Sequence, residues 1–371
     1  MGLFYYAKIY LIMKVLVTGA AGFIGSYVSR ALLWRGDDVC GIDNFSSYYP
    51  RNCKEFNVDL VNLASGRKTQ FFPFKTVLPV YKKIESYFDG KKSDKPGHFS
   101  FYETDITNFD ALQDLFMKEK FDAVVHLAAW AGVPVSTKNP RLYTSVNVDG
   151  TVNLLNLSKD NGVQKFLFGS SSSVYGDRND KKVEETDDVT KAVSIYGATK
   201  VAGEVLCHST NAIFGLKSVV IRIFGPIYGP LQRPKGMFMQ RAINFVHNNK
   251  TVSIWGKSGL TTAKDSTYID DEVNGIILAL DSDFNFEVYN IGTSDPQSIK
   301  QWLDAVKESY GKEVSIEIVD RDVADVVSSA DISKAKKKLG YSPKMTLSEA
   351  VKRQVEVFKL MPEWYQTMSD V

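Results

Sequence analysis

Lys14-Val-Leu-Val-Thr18, running straight into Gly19-Ala-Ala-Gly22-Phe23-Ile24-Gly25, is the stretch on which the fold of this chain turns. A short apolar, β-branched run reads as a buried strand. The residues from Phe23 to Arg35 read as the helix that follows it. Glycines at such a strand–turn–helix junction have separate uses. Gly19 makes the tight turn, Gly22 lets backbone approach a pyrophosphate, and Gly25 lets the helix pack close to the strand. The open N–H groups at the helix start then favour phosphate charge. The spacing is GxxGxxG, not the commoner GxGxxG, so the strand–turn–helix context carries the dinucleotide reading.

Working outward, Asp-Asp-Val-Cys-Gly-Ile-Asp43 supplies a second strand whose terminal Asp43 lies about 20 residues past the glycines. A carboxylate there accepts both ribose hydroxyls of NAD and repels the 2′-phosphate of NADP. Further apolar runs (FDAVVHLAA, VQKFLFGSSS, LKSVVIRIFG) alternate with helical patterns near 146–161 and 196–214. Nearly all-apolar strands separated by helices predict a doubly wound parallel sheet of Rossmann type. After Gly225 the texture changes to Gly/Pro-rich loops and short mixed elements. We therefore expect an NAD-binding domain over 13–225, to which 265–291 returns, and a smaller, mainly substrate-binding C-terminal lobe over 226–360. Closing helices are expected over 333–339 and 347–358. Between Arg51 and His98 stand ten Lys or Arg and five Asp or Glu, which reads as a solvated surface insertion.

Composition excludes several classes. A chain of 371 residues with a formal net charge of +2 and no aromatic-interleaved basic motif gives no footprint for nucleic acid. Three scattered cysteines without metal spacing read as reduced thiols, and no metal site is expected. The N-terminal apolar stretch is broken by Lys8 and Lys14 and falls short of the ~20 residues that span a bilayer. The expectation is a cytosolic protein without membrane association.

Two further constellations carry chemistry. In Tyr196-Gly-Ala-Thr-Lys200 a spacing of four puts phenol and ammonium on one helix face. A phenol with an ordinary pKa near 10 is a poor base, so Lys200 and a cationic nicotinamide are expected to draw it down. In Gly169-Ser-Ser-Ser-Ser-Val-Tyr-Gly176 the serines lie at a strand's C-terminal end, where ligands bind in such sheets. A non-catalytic NAD-binding protein is the alternative from another class. The intact Tyr196, Lys200 and Ser171 argue against it.

With these segments, TGAAGFIG, DNFSSYY, DITN, HLAAWAGV, SSSSVYG, YGATK and KDSTYIDD, the sequence resembles the NAD-dependent epimerase/dehydratase family of extended short-chain dehydrogenases. Within it the similarity is greatest to UDP-glucuronate 4-epimerases, then to the UDP-N-acetylglucosamine and UDP-glucose enzymes. The resemblance implies that backbone N–H groups of Phe23 and Ile24 meet the pyrophosphate, and that Asp43 and Asn44 hold the adenosine ribose. It places Asp105 and Ile106 at the adenine edge. Leu127, Ala128 and Ala129 fall beside the cofactor, and Asn147 and Phe224 near its nicotinamide half. Tyr196 becomes the base, Lys200 its partner, and Ser171 the catalytic hydroxyl, with Ser172 as second choice. Lys264, where relatives carry Arg, is implied against the diphosphate, Asp322 near the nucleotide, and Arg233 of the YGPxxRP loop at a sugar carboxylate. Dehydratases and decarboxylases of the family carry acids just after the catalytic hydroxyl. Here those positions are Ser172 and Ser173, which favours epimerisation of a UDP-sugar through a 4-keto intermediate. The resemblance also implies a homodimer built on the helices near 196–214 and 111–120. Val319, Arg321 and Gly225 depart from the family pattern and bear on sugar specificity.

Overall fold

The structure is a computed structural model that describes residues 12–90, 92–176, 182–233, 237–256, 259–319 and 329–368. Its centre is a sheet of seven strands: β1 (Lys14–Thr18), β2 (Asp38–Asp43), β3 (Phe99–Glu103), β4 (Ala123–His126), β5 (Lys165–Ser171), β6 (Lys217–Ile223) and β7 (Phe286–Ile291). Their spatial order is β3-β2-β1-β4-β5-β6-β7, with every neighbouring pair parallel. Val15, Leu16 and Val17 of β1 are fully buried, as are Ala123 to Val125 of β4. Burial on both faces explains the unbroken apolar runs, because helices cover each side of a parallel sheet. Strand order reverses between β1 and β4, and the crevice above their carboxyl ends is where such sheets take ligands.

α1 (Phe23–Arg35) begins at Gly22 and ends at Gly36, which adopts the left-handed conformation that stops a helix. The region between β2 and β3 departs from the reading of a solvated insertion. It folds as α2 (Arg51–Ala64) and α3 (Phe74–Tyr87), whose apolar positions enter the main core. Phe56, Val58, Leu60 and Val61 of α2 and Val77, Val80 and Ile84 of α3 are buried. The basic residues that dominate the composition mostly lie on the outer faces. Between the two helices, the buried Asp59 carboxylate accepts the backbone N–H groups of Gln70, Phe71 and Phe72 and so fixes the turn.

Past β6 the chain builds the second lobe. The helix Phe238–His247 leads to the strand Val252–Trp255, which pairs with Ile316–Val319. Ala263–Lys264 pairs with Gln297–Ser298, and helices Ile299–Tyr310 and Leu347–Phe358 pack together. The chain returns to the sheet through the helix Ile269–Asp281, packed against α1, and through β7 on the outer edge of β6.

Candidate active site

The glycine turn is built as its sequence requires. Gly19 has φ +71, a conformation that L side chains rarely adopt. A Cβ on Gly25 would stand 2.2 Å from the Gly19 carbonyl oxygen, so the first turn of α1 and the strand end meet only without it. The N-terminus of α1 has no side-chain cap. Its backbone N–H groups therefore remain for an anionic ligand. Below the turn, Thr18 Oγ1 hydrogen-bonds His126 Nδ1 at 2.8 Å and accepts the Leu127 and Ala128 N–H groups. His126 Nε2 meets Thr151 Oγ1 at 3.0 Å, and burial pushes the imidazole down to about 3. A neutral ring thus ties β1 to the start of the next crossing.

At the end of β2, Asp43 is buried against Lys54 of α2, 3.1 Å from its ammonium. Lys54 also donates to Ser46. Asp43, Asn44, Lys54, Ile106 and Ala128 border a small pocket of about 110 Å³ continuous with the glycine turn. Asp105 does not border it: its carboxylate accepts from Asn44 and Thr107 and closes its own loop. Lys54 was not singled out in the sequence. The only signal was its place on a helix that turns back over β2, 11 residues after Asp43.

The main cavity, of about 660 Å³, runs from the glycine turn past the β5 end into the second lobe. That volume suits a large ligand. Gly22, Leu127, Ala129, Ser171, Ser172, Tyr196, Lys200, Arg233 and Lys264 all border it. The structure therefore gathers most of the expected site along one trough. Phe224 does not border it, being fully buried with its ring against Tyr175. Asn147 is likewise inside: it exchanges hydrogen bonds with the Trp130 backbone and donates to Thr199, tying the loop after β4 to the helix that carries Tyr196. Asp322 lies outside the described residues.

Tyr196 opens the helix Ile195–Phe214, capped by the Ser194 hydroxyl on Gly197 N–H. Lys200 lies one turn on. The electrostatics differ from the expectation in one respect. Burial pushes the Tyr196 phenol up to about 12, and the Ser171 hydrogen bond is the largest effect holding it down, with Arg233 assisting. Lys200 is not among these influences; its ammonium donates to the Gly169 carbonyl at 2.7 Å and lies 5.9 Å from the Tyr196 ring centre. Burial draws Lys200 itself down to about 8, opposed by Glu204. Ser171 Oγ also accepts the Ser173 backbone N–H at 3.2 Å, which fixes the hydroxyl from its other side.

Behind these groups Ser170 donates to Glu204, and Glu204 is paired bidentately with Arg222. Across the cavity, the Arg233 guanidinium lies 4.4 Å from the centre of the Tyr48 ring, and Tyr48 donates to the Ala131 carbonyl. Tyr48 belongs to the DNFSSYY segment but had been given no role. Its ring position depends on a loop crossing the cleft, which local spacing does not encode.

Among the described residues, no helix is long and apolar enough to cross a membrane. No group of three or more His, Cys, Asp or Glu among them could hold a metal ion.

Comparison with known proteins agrees with this geometry. Residues 15–292 match the NAD dependent epimerase/dehydratase family. The chain is 37% identical to a UDP-glucuronate 4-epimerase of Thermodesulfobacterium geofontis, over 92% of this chain and 94% of that one. It is similar in structure to the UDP-glucuronic acid 4-epimerase of Bacillus cereus in complex with UDP-glucuronic acid and NAD. That likeness has a TM-score of 0.76 at 33% identity, over 94% of this chain and 99% of that one. The UDP-glucose 4-epimerase of Thermus thermophilus, in complex with NAD, follows at 27% identity and a TM-score of 0.74, over 94% and 99%.

Proposed function

This chain belongs to the NAD dependent epimerase/dehydratase family, and from that membership we propose that it is an NAD-dependent 4-epimerase of a UDP-sugar, with UDP-glucuronate as its substrate and UDP-galacturonate as product. The observation that carries the reading is the convergence of Tyr196, Ser171 and Arg233 on one cavity that begins at the glycine turn.

The residues present fit the cofactor. The glycine turn leaves a cradle that a Cβ at Gly22 or Gly25 would fill, and Asp43 stands at the ribose end. Residues 13–225 with 265–291 form the cofactor-binding part in this reading, and 226–360 mainly hold the nucleotide sugar. NAD, when bound, supplies the oxidation and re-reduction of the sugar C4. The chain's own groups position and move the proton. Tyr196 Oη takes it from the C4 hydroxyl and returns it after the ketone has turned over. Ser171 holds the substrate oxygen against that phenol and stabilises its ionised form. Lys200 anchors to the β5 carbonyl and presents an ammonium beneath the site. Ser172 and Ser173 offer hydroxyls where an elimination or decarboxylation would need an acid.

Arg233 distinguishes the sugar. A guanidinium pairs bidentately with a carboxylate, and the Tyr48 ring holds its plane. Gly225, which supplies no side chain to the cavity, is the feature favouring a neutral UDP-sugar instead. The test is a panel of UDP-glucuronate, UDP-glucose and UDP-N-acetylglucosamine with NAD, followed by NMR. Fastest appearance of the 4-epimer from UDP-glucuronate is expected, and faster turnover of either neutral sugar would give that reading the place. A homodimer is part of the same proposal.

A further inference from the structure

Arg233 stands on a loop held from behind by groups distant in sequence. The Tyr365 hydroxyl donates to the Gln232 carbonyl at 2.7 Å, the carbonyl whose peptide bond leads into Arg233. The Gln232 side chain folds back to donate to the Ile227 carbonyl at 2.6 Å and accepts from Gln354. Tyr27 of α1 donates to the Pro230 carbonyl at 3.0 Å. Tyr365, Gln354 and Gln232 are each at most 2% exposed, so these bonds do not exchange readily with water.

Tyr365 is itself seated by the region between β2 and β3. Its neighbour Trp364 stacks on Phe72 at 5.8 Å with an interplanar angle of 20° and lies 6.3 Å from Phe56 of α2. Outward from there, Tyr87 of α3 donates to Glu356 at 2.6 Å, and Lys83 pairs with the same carboxylate. The Arg353 guanidinium covers the Tyr87 ring at 4.7 Å. The added helices of the first domain therefore grip the C-terminal segment from Arg353 to Tyr365, and that segment grips the Arg233 loop.

We infer that Tyr365 is a positioning residue for substrate selection: with α2 and α3 as its buttress, it sets where the Arg233 guanidinium stands in the cavity. This rests on the reading of Arg233 as the partner of a sugar carboxylate. A carbonyl fixed one residue away limits the arc of the Arg233 Cα. Bidentate pairing tolerates little displacement, whereas a neutral sugar hydroxymethyl makes no such demand. Tyr365 touches no reacting atom and Arg233 is the smallest of the influences on Tyr196, so the effect falls mainly on KM for the charged substrate.

The experiment compares Tyr365→Phe, Arg233→Leu and the double variant with wild type on UDP-glucuronate and UDP-glucose. NAD affinity and melting temperature are recorded for each. Removing one buried hydrogen bond predicts a rise in KM for UDP-glucuronate of about threefold or more. The kcat should stay within about twofold, UDP-glucose should be unaffected, and Tyr365→Phe should add nothing in the Arg233→Leu background. Equal losses on both substrates, or additive effects in the double variant, would overturn the inference. If Arg233→Leu shifts the preference and Tyr365→Phe does not, the positioning role fails while the reading of Arg233 survives. If neither shifts it, both fall.

Discussion

Tyr196 is held high, at about 12, by its own burial, and the site must overcome that to use it as a base. The Ser171 hydroxyl and Arg233 already work in that direction. Replacing Tyr196 by Phe keeps the ring packed against Tyr143 while removing the hydroxyl proposed to exchange the C4 proton. The kcat should fall by at least ~10²-fold with NAD binding unchanged, measured by steady-state kinetics and cofactor titration. Activity within a few-fold of wild type would mean another base. A second residue-scale consequence concerns acid stability. His126 is neutral in the fold, with a pKa of about 3 against an ordinary 6.5, so between those values the unfolded chain binds the extra proton. Stability from this group is therefore full above pH 6.5 and is lost as pH falls, by about 1.4 kcal/mol per unit. Asp270, pushed up to about 7, has the opposite sign. Urea unfolding at pH 7 and pH 5 should show a smaller acid loss for His126→Asn than for wild type; equal losses would assign the acid sensitivity elsewhere.

At the scale of elements, the readable parts were those whose chemistry is local. The turn from β1 into α1 needs its glycines for reasons contained within Thr18 to Gly25, and Tyr196 and Lys200 meet because a helix brings positions four apart together. The α2–α3 pair was read as solvated because counting charges over the whole stretch hides periodicity. Val77, Val80 and Ile84 recur at helical spacing on one face of α3, while Lys75, Lys82 and Lys83 occupy the others. Lys54 escaped for the same reason, and it changes how the β2 end reads. The Asp43 carboxylate still repels a 2′-phosphate, but a buried ammonium 3.1 Å away offsets part of that charge. We expect NAD to bind about tenfold or more tightly than NADP, and Lys54→Met to widen the gap by removing a cation that favours the extra phosphate. Calorimetric titration of both cofactors checks this. A narrower gap in Lys54→Met would show that the lysine serves Asp43 alone.

At the scale of the molecule, the Ile195–Phe214 helix has a buried face and an exposed apolar one. One carries Lys200, Glu204 and Cys207 inward. The other leaves Ile195, Val205 and Ile213 in solvent, with Val205 58% and Ile213 70% exposed. On the Phe109–Glu119 helix, Phe109 and Met117 are exposed too, at 39% and 59%. Exposed apolar side chains recurring along helices make these two the candidate surface for a second copy. We expect a symmetric partner to bury them, at about 25 cal/mol per Å² of apolar surface. Two copies meeting through these helices would also stiffen the catalytic helix from outside. Light scattering should therefore give about twice the 41.5 kDa of one chain. Val205→Arg, which sets like charges against each other across a two-fold axis, should shift the protein to monomer and lower its melting temperature. A wild-type mass of one chain at every concentration would exclude the dimer. A Val205→Arg variant that remains dimeric would move the interface to another face of the molecule.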